Sequence, residues 1–92
     1  MATLTIWKFE FGIDDKVLIG MPDGAQPLHA GLQGGVPCLW ALVDPTRPKA
    51  LHEFAVRGTG HDATGLSQGR HIGTFQMARG ALVFHVFFCG RC

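Results

Sequence analysis

Thr3-Leu4-Thr5-Ile6-Trp7-Lys8-Phe9-Glu10-Phe11 is the stretch whose reading decides the fold. Thr5, Trp7, Phe9 and Phe11 recur at every second residue, and Leu4, Ile6, Lys8 and Glu10 fill the alternate positions. A period of two is that of a half-buried β-strand, because successive side chains leave a pleated backbone on opposite faces. Working outward, apolar runs of similar length recur between breakers. They span Lys16–Met21, Pro27–Gln33, Val36–Asp44, Lys49–Arg57, Arg70–Met77 and Ala81–Phe88. Pro22-Asp23-Gly24, Gly34-Gly35, Pro45-Thr46-Arg47-Pro48 and Arg79-Gly80 separate them as turns. A helix normally needs about 10 or more periodic residues, and none of these runs supplies them. The expectation is an all-β chain with little or no helix: a compact antiparallel β-sandwich or small barrel of about seven short strands.

Two strands are apolar on both faces, Val36–Asp44 and Ala81–Phe88, which places them centrally or under a partner. The 92 residues are 47% hydrophobic and 16% charged, which excludes disorder and fits a single domain over residues 1–92. So small a domain leaves much apolar surface uncovered, and Trp7, Trp40 and the seven Phe need cover. A homo-oligomer is expected on that ground.

The net charge of +1 excludes a duplex nucleic-acid or anionic-membrane footprint. No apolar run approaches a membrane span, and no basic-then-apolar leader opens the chain, so the default location is the cytoplasm. The three cysteines do not suggest a disulfide framework. Cys38 reads as a small core hydrophobe. Cys89-Gly90-Arg91-Cys92 has redox spacing but no helix after it to lower a thiol pKa, so residues 89–92 read as a short tail. The five histidines show no metal-ligand spacing, and neither a metal nor a cofactor is expected. Ser67 is the only serine and no pair of acids stands out, so an enzyme is not favoured.

The polar candidates lie in three places. Arg57 and Gly58-Thr59-Gly60-His61 follow a strand; two glycines let backbone N–H groups turn toward one anion, with the Thr59 hydroxyl and the His61 imidazole beside them. A plain turn explains the same glycines. On Arg70–Met77, alternation puts Arg70, Ile72, Thr74 and Gln76 on one face and His71, Gly73 and Phe75 on the other. Thr74 and Gln76 would then read a polar ligand, and Gly73 in mid-strand signals a bulge or a close approach. His85 shares a face with Val83 and Phe87, as a core histidine or beside a pocket to which Trp7 and Trp40 could contribute stacking.

Taken in order, Ile6-Trp7-Lys8-Phe9, Met21-Pro22-Asp23-Gly24-Ala25, Pro37-Cys38-Leu39-Trp40-Ala41-Leu42-Val43-Asp44-Pro45, Gly58-Thr59-Gly60-His61, Ile72-Gly73-Thr74-Phe75-Gln76 and Leu82-Val83-Phe84-His85-Val86-Phe87 resemble a family of small phage- and prophage-encoded proteins of unknown function. The resemblance runs from Leu4 to Phe88; the last four residues and the loop from Asp62 to Gly69 depart from it. It implies a viral setting. Phage accessory proteins often sequester a nucleotide signal of host immunity or block a host protein. The reading that follows is a non-enzymatic binder of a small anionic or nucleotide ligand, through Arg57, Thr59, Gly60, His61, Thr74 and Gln76. The alternative is an interaction module that inhibits a host protein or joins a phage complex; a small hydrolase with His61 or His85 as base stands third.

Overall fold

Each expected strand forms, because each has the alternation or the β-branched and aromatic content that a pleated, half-buried surface accepts. The computed structural model describes residues 3–92. The strands are β1 (Thr5–Glu10), β2 (Lys16–Pro22), β3 (Gln26–Gln33), β4 (Val36–Val43), β5 (Lys49–Gly58), β6 (Arg70–Met77) and β7 (Leu82–Arg91). Single 3₁₀ turns at Leu66–Gln68 and Ala78–Gly80 flank β6. Neighbouring strands pair antiparallel in two sheets, ordered β1-β4-β3 and β2-β5-β7-β6. The two sheets make a sandwich-like fold, not a closed barrel. No helix of the described residues is long and apolar enough to cross a membrane.

The two doubly apolar strands, β4 and β7, are interior strands of their sheets. One face of each packs into the core, formed by Leu39, Ala41 and Val43 from β4 with Val86 from β7, against Met21, Phe54, Val56, Ile72 and Phe75. The second face of β4 carries Trp40, which stacks on His29 at 6.3 Å and 23°. It also carries Cys38, which is fully buried although it faces away from the core. The Lys8 ammonium donates to Gln33 Oε1 at 2.7 Å, a bridge that spans β4 where Cys38 lies.

The sheets meet closely along β3 and β6. A Cβ built on Gly73 would stand 1.9 Å from the Ala30 carbonyl oxygen, so only glycine permits this approach of two backbones. The pairing of β6 with β7 also shifts between His71 and Gly73. Both signals expected of a mid-strand glycine are therefore present. The Arg70 guanidinium fastens the seam by donating to the Pro27 carbonyl, and it lies over the Phe88 ring at 5.9 Å.

The bulge corrects the face assignment made from alternation. Ile72 is buried with Phe75, while His71, Thr74 and Gln76 are exposed. An extra residue in one strand breaks the period of two, and alternation counted across it assigns the wrong side.

The expected tail at residues 89–92 is also corrected. β7 continues through Arg91, with Gly90 opposite Glu53 and Arg91 opposite His52. The Cys92 N–H donates to the Leu51 carbonyl at 2.9 Å. Arg91 Nε reaches Asp23 Oδ1 at 2.6 Å.

Candidate functional site

Two clefts take up the candidate residues. The first lies at the Gly58–His61 turn and holds about 310 Å³ between Gly58, Thr59 and His61 on one side and Ala81–Phe84 on the other. The His61 N–H donates to the Gly58 carbonyl at 3.0 Å, and Gly60 sits at φ 88°. That is a β-turn whose third residue must be left-handed, which is why glycine stands there. The Thr59 N–H is also occupied, by the Val83 carbonyl at 3.1 Å. Two of the N–H groups that would have faced an anion are thus spent on carbonyls. Gly58 answers to packing: a Cβ there would stand 2.9 Å from the His61 ring.

Arg57 points elsewhere. Its Nε donates to the Asp62 carbonyl at 3.0 Å and its Nη1 to the carbonyls of Asp15 at 2.7 Å and Val56 at 3.0 Å. The guanidinium ties two loops to β5 and does not line the cleft.

Thr59 does line it, and behind Thr59 runs a chain of alternating hydroxyls and imidazoles. Thr59 Oγ1 lies 2.7 Å from His85 Nε2, His85 Nδ1 lies 3.0 Å from Thr74 Oγ1, and Thr74 Oγ1 lies 2.8 Å from His71 Nε2. A hydroxyl donates once and accepts twice, and a neutral imidazole does each once, so all three contacts can be satisfied in either direction. His85 is therefore a half-buried histidine with both nitrogens engaged, on the outer face of its sheet. The Phe87 ring meets His71 edge-on at 5.4 Å. Chemically, His85 is placed to accept the Thr59 proton while Thr74 orients its ring, with a hydroxyl where a carboxylate usually stands.

The structure thus joins Thr59, Thr74 and His85, with His61 at the same cleft. Gln76 is left out; it faces solvent beside Gly80. Trp40 lines neither cleft.

The second cleft, of about 300 Å³, opens between Trp7 and Phe9 of β1, Gly20 and Pro22 of β2, and Pro45, Arg47 and Lys49 of the β4–β5 connection. Trp7 is 41% exposed there, a cleft wall rather than a core residue. The aliphatic stem of Lys49 runs across Gly20, whose Cβ would stand 2.7 Å from Lys49 Cδ. Arg47 is held at 3.5 Å from Asp23, which Arg91 also engages. Asp44 shapes the turn: its carboxylate accepts from the Thr46 hydroxyl at 2.7 Å and the Thr46 N–H at 3.0 Å. The hydroxyl, then the N–H, hold Asp44 below the usual carboxylate range. The lining contains two cations and no carboxylate. Sequence reading named Trp7 but missed Lys49 and Arg47; a Pro-flanked turn with two basic residues, Pro45-Thr46-Arg47-Pro48-Lys49, was the available signal.

A family match covers residues 2–90. The chain belongs to DUF7352, a domain of unknown function. No curated protein and no solved structure matches it. Residues 2–90 take in all of β1–β6 and both cleft linings.

Cys38, Cys89 and Cys92 are free thiols. Desolvation, then the negative charge of Glu53, push the Cys89 thiol up, the reverse of what a reactive C-x-x-C requires.

Proposed function

We propose that this DUF7352 domain is a non-enzymatic binder of a small anionic ligand with a planar ring, and that it acts in a phage or prophage setting by sequestering a nucleotide-derived signal of host immunity in the host cytoplasm. The observation that carries the reading is the second cleft. An exposed indole, a second aromatic ring and two cations surround a space of about 300 Å³ without a carboxylate. Lys49 forms no salt bridge among the described residues, so its ammonium is available to a phosphate. The indole offers a stacking face for a base. The volume is at the small end of ligand pockets and fits one nucleotide unit better than several.

The Gly58–His61 cleft supports an anion less well. It has a hydroxyl and an imidazole, but its guanidinium and two of its N–H groups are used within the fold. The phage setting rests on the sequence resemblance.

Titration with a panel of mononucleotides and cyclic nucleotides, followed by calorimetry, tests the reading. Charge-assisted hydrogen bonds are worth about 1.5–3 kcal/mol, so Lys49→Ala should weaken binding by about tenfold or more. Trp7→Ala should weaken it as well, while Thr59→Ala and His61→Ala leave it unchanged. The opposite pattern would move the site to the other cleft. Absence of binding across the panel would sink the nucleotide reading.

A second reading is an interaction module for a host protein. Leu18 and Leu51, 47% and 50% exposed, stand on paired strands and favour it. Leu18→Glu should then abolish capture of that protein and leave nucleotide titration unchanged; Leu51 stands opposite Gly20 of the cleft and would not separate the two.

A further inference from the structure

Two sheets have four edge strands, β1, β3, β2 and β6. An edge offers unpaired N–H and C=O groups, and proteins ordinarily blunt it with proline, a bulge, cover or charged side chains. β3 carries Pro27 and an irregularity between Pro27 and His29, and β6 packs against it. β6 carries the bulge between His71 and Gly73. β2 contains Gly20 and closes on Pro22. β1 is blunted by charge alone. It runs Thr5–Glu10 without proline, glycine or bulge, in unbroken register with β4, and among the described residues nothing pairs with its other side.

What β1 does carry is one charge of each sign, two residues apart on the same face: Lys8 and Glu10. We infer that β1 is a dimerisation edge, on which a second copy of this chain pairs antiparallel about a two-fold axis at Phe9. The register follows from charge. A two-fold axis that keeps both inner faces on the same side must pass through a residue, so that even positions meet even positions. Centred on Lys8, it sets Lys8 against Lys8. Centred on Trp7, it sets Lys8 against Ile6 and leaves Glu10 without a cation. Centred on Phe9, it sets Lys8 against Glu10 twice, once on each side of the axis. Opposite charges directly across a strand pair stabilise and like charges destabilise. The bond to Gln33 draws the ammonium across β4, away from this edge, so pairing exchanges that neutral partner for the Glu10 carboxylate of the second copy.

The dimer joins the two three-stranded sheets into one of six strands. It covers the Phe9 backbone at the rim of each cleft and draws Trp7 toward the Phe11 position of the partner copy. It also covers an edge that only charge protects, in a chain that is 47% hydrophobic.

Sedimentation velocity over a concentration series of the full chain tests this, with circular dichroism to confirm folding. The wild type should dimerise. Lys8→Glu and Glu10→Lys should each weaken the dimer by about tenfold or more, because each turns both attractive pairs into repulsive ones. An equimolar mixture of the two variants should form a heterodimer, since one brings two acids to the edge and the other two bases. The double variant should dimerise like the wild type. A wild type that stays monomeric up to about 1 mM, a range where even weak specific pairing appears, would overturn the inference. So would single reversals that leave association unchanged, or folded variants that fail to associate when mixed.

Discussion

The two open sides between the sheets differ sharply. Along β3 and β6 the backbones touch, because Gly73 has no side chain and the Ala30 carbonyl fills its place. Between β1 and β2 the sheets stay apart around a cleft of about 300 Å³. The same architecture is thus sealed at one flank and open at the other. Side-chain size decides which: glycine and alanine at the seam, tryptophan, arginine and lysine at the cleft. The sealed flank serves stability, and the open one is where a ligand or partner has room.

The largest effect should come from breaking the seal. Gly73→Ala places a methyl inside the contact distance of a backbone carbonyl, which no rotamer change relieves. Overpacking that side chains can absorb costs about 1–3 kcal/mol; here backbone stands in the way, so the loss should exceed that of truncating a core aromatic and the urea unfolding midpoint should fall accordingly. A neutral result would mean that the flanks are not different in kind.

Two aromatic truncations sharpen the contrast further. Phe54 is 1% exposed and Trp7 is 41% exposed. Phe54→Ala should cost about 3–5 kcal/mol, and Trp7→Ala well under half of that despite removing a larger ring. Comparable losses by denaturant titration would place Trp7 in the core and remove the cleft wall.

At Gly20 the methyl of an alanine would meet the flexible stem of Lys49 rather than backbone. Gly20→Ala should therefore change stability by less than about 1 kcal/mol, while moving the Lys49 ammonium and weakening ligand binding. Calorimetry on the folded variant separates the two consequences.

The smallest effect concerns the loops beside the clefts. Asp44 and Asp62 are both held below their ordinary value of 3.8, chiefly by the hydroxyls of Thr46 and Thr64. A carboxyl whose folded value is depressed contributes stability that is present above pH 3.8 and lost as pH falls through the lower folded value. Both groups are solvent-exposed, so the contribution is small. Thr46→Ala with Thr64→Ala should slightly lower the neutral-pH midpoint and flatten its acid dependence below pH 4. An unchanged acid slope would show that these bonds do not hold the carboxylates.

The strands were legible because alternation and breakers act over a few neighbouring residues, and nothing in this chain overrides them. Thr3–Phe11 reads as a strand from its own period, and the structure trims it only to Thr5–Glu10. The central placement of β4 and β7 was legible for the same reason, since two apolar faces need two covers. The candidate site was legible in part. Thr59, Thr74 and His85 were named from three separate segments, and the fold connects them. The bonds of Arg57 to the carbonyls of Asp15 and Asp62 were not legible, because a basic residue before a glycine turn looks the same in sequence whatever it meets. His71 was put on the wrong face because a bulge shifts the count without any local mark beyond Gly73.

The sequence by itself determined the all-β class, the positions of seven strands and the turns between them. These follow from the pleat and from the φ preferences of glycine and proline, which are properties of short segments. Tertiary structure alone decided the rest: a sandwich and not a barrel, His71 wired to Thr74, the final residues paired with β5, and a cleft between Trp7 and Lys49. Each depends on segments distant in the chain meeting at ångström range. Only the packing of the complete fold fixes such distances, as the approach of Gly73 to the Ala30 carbonyl shows.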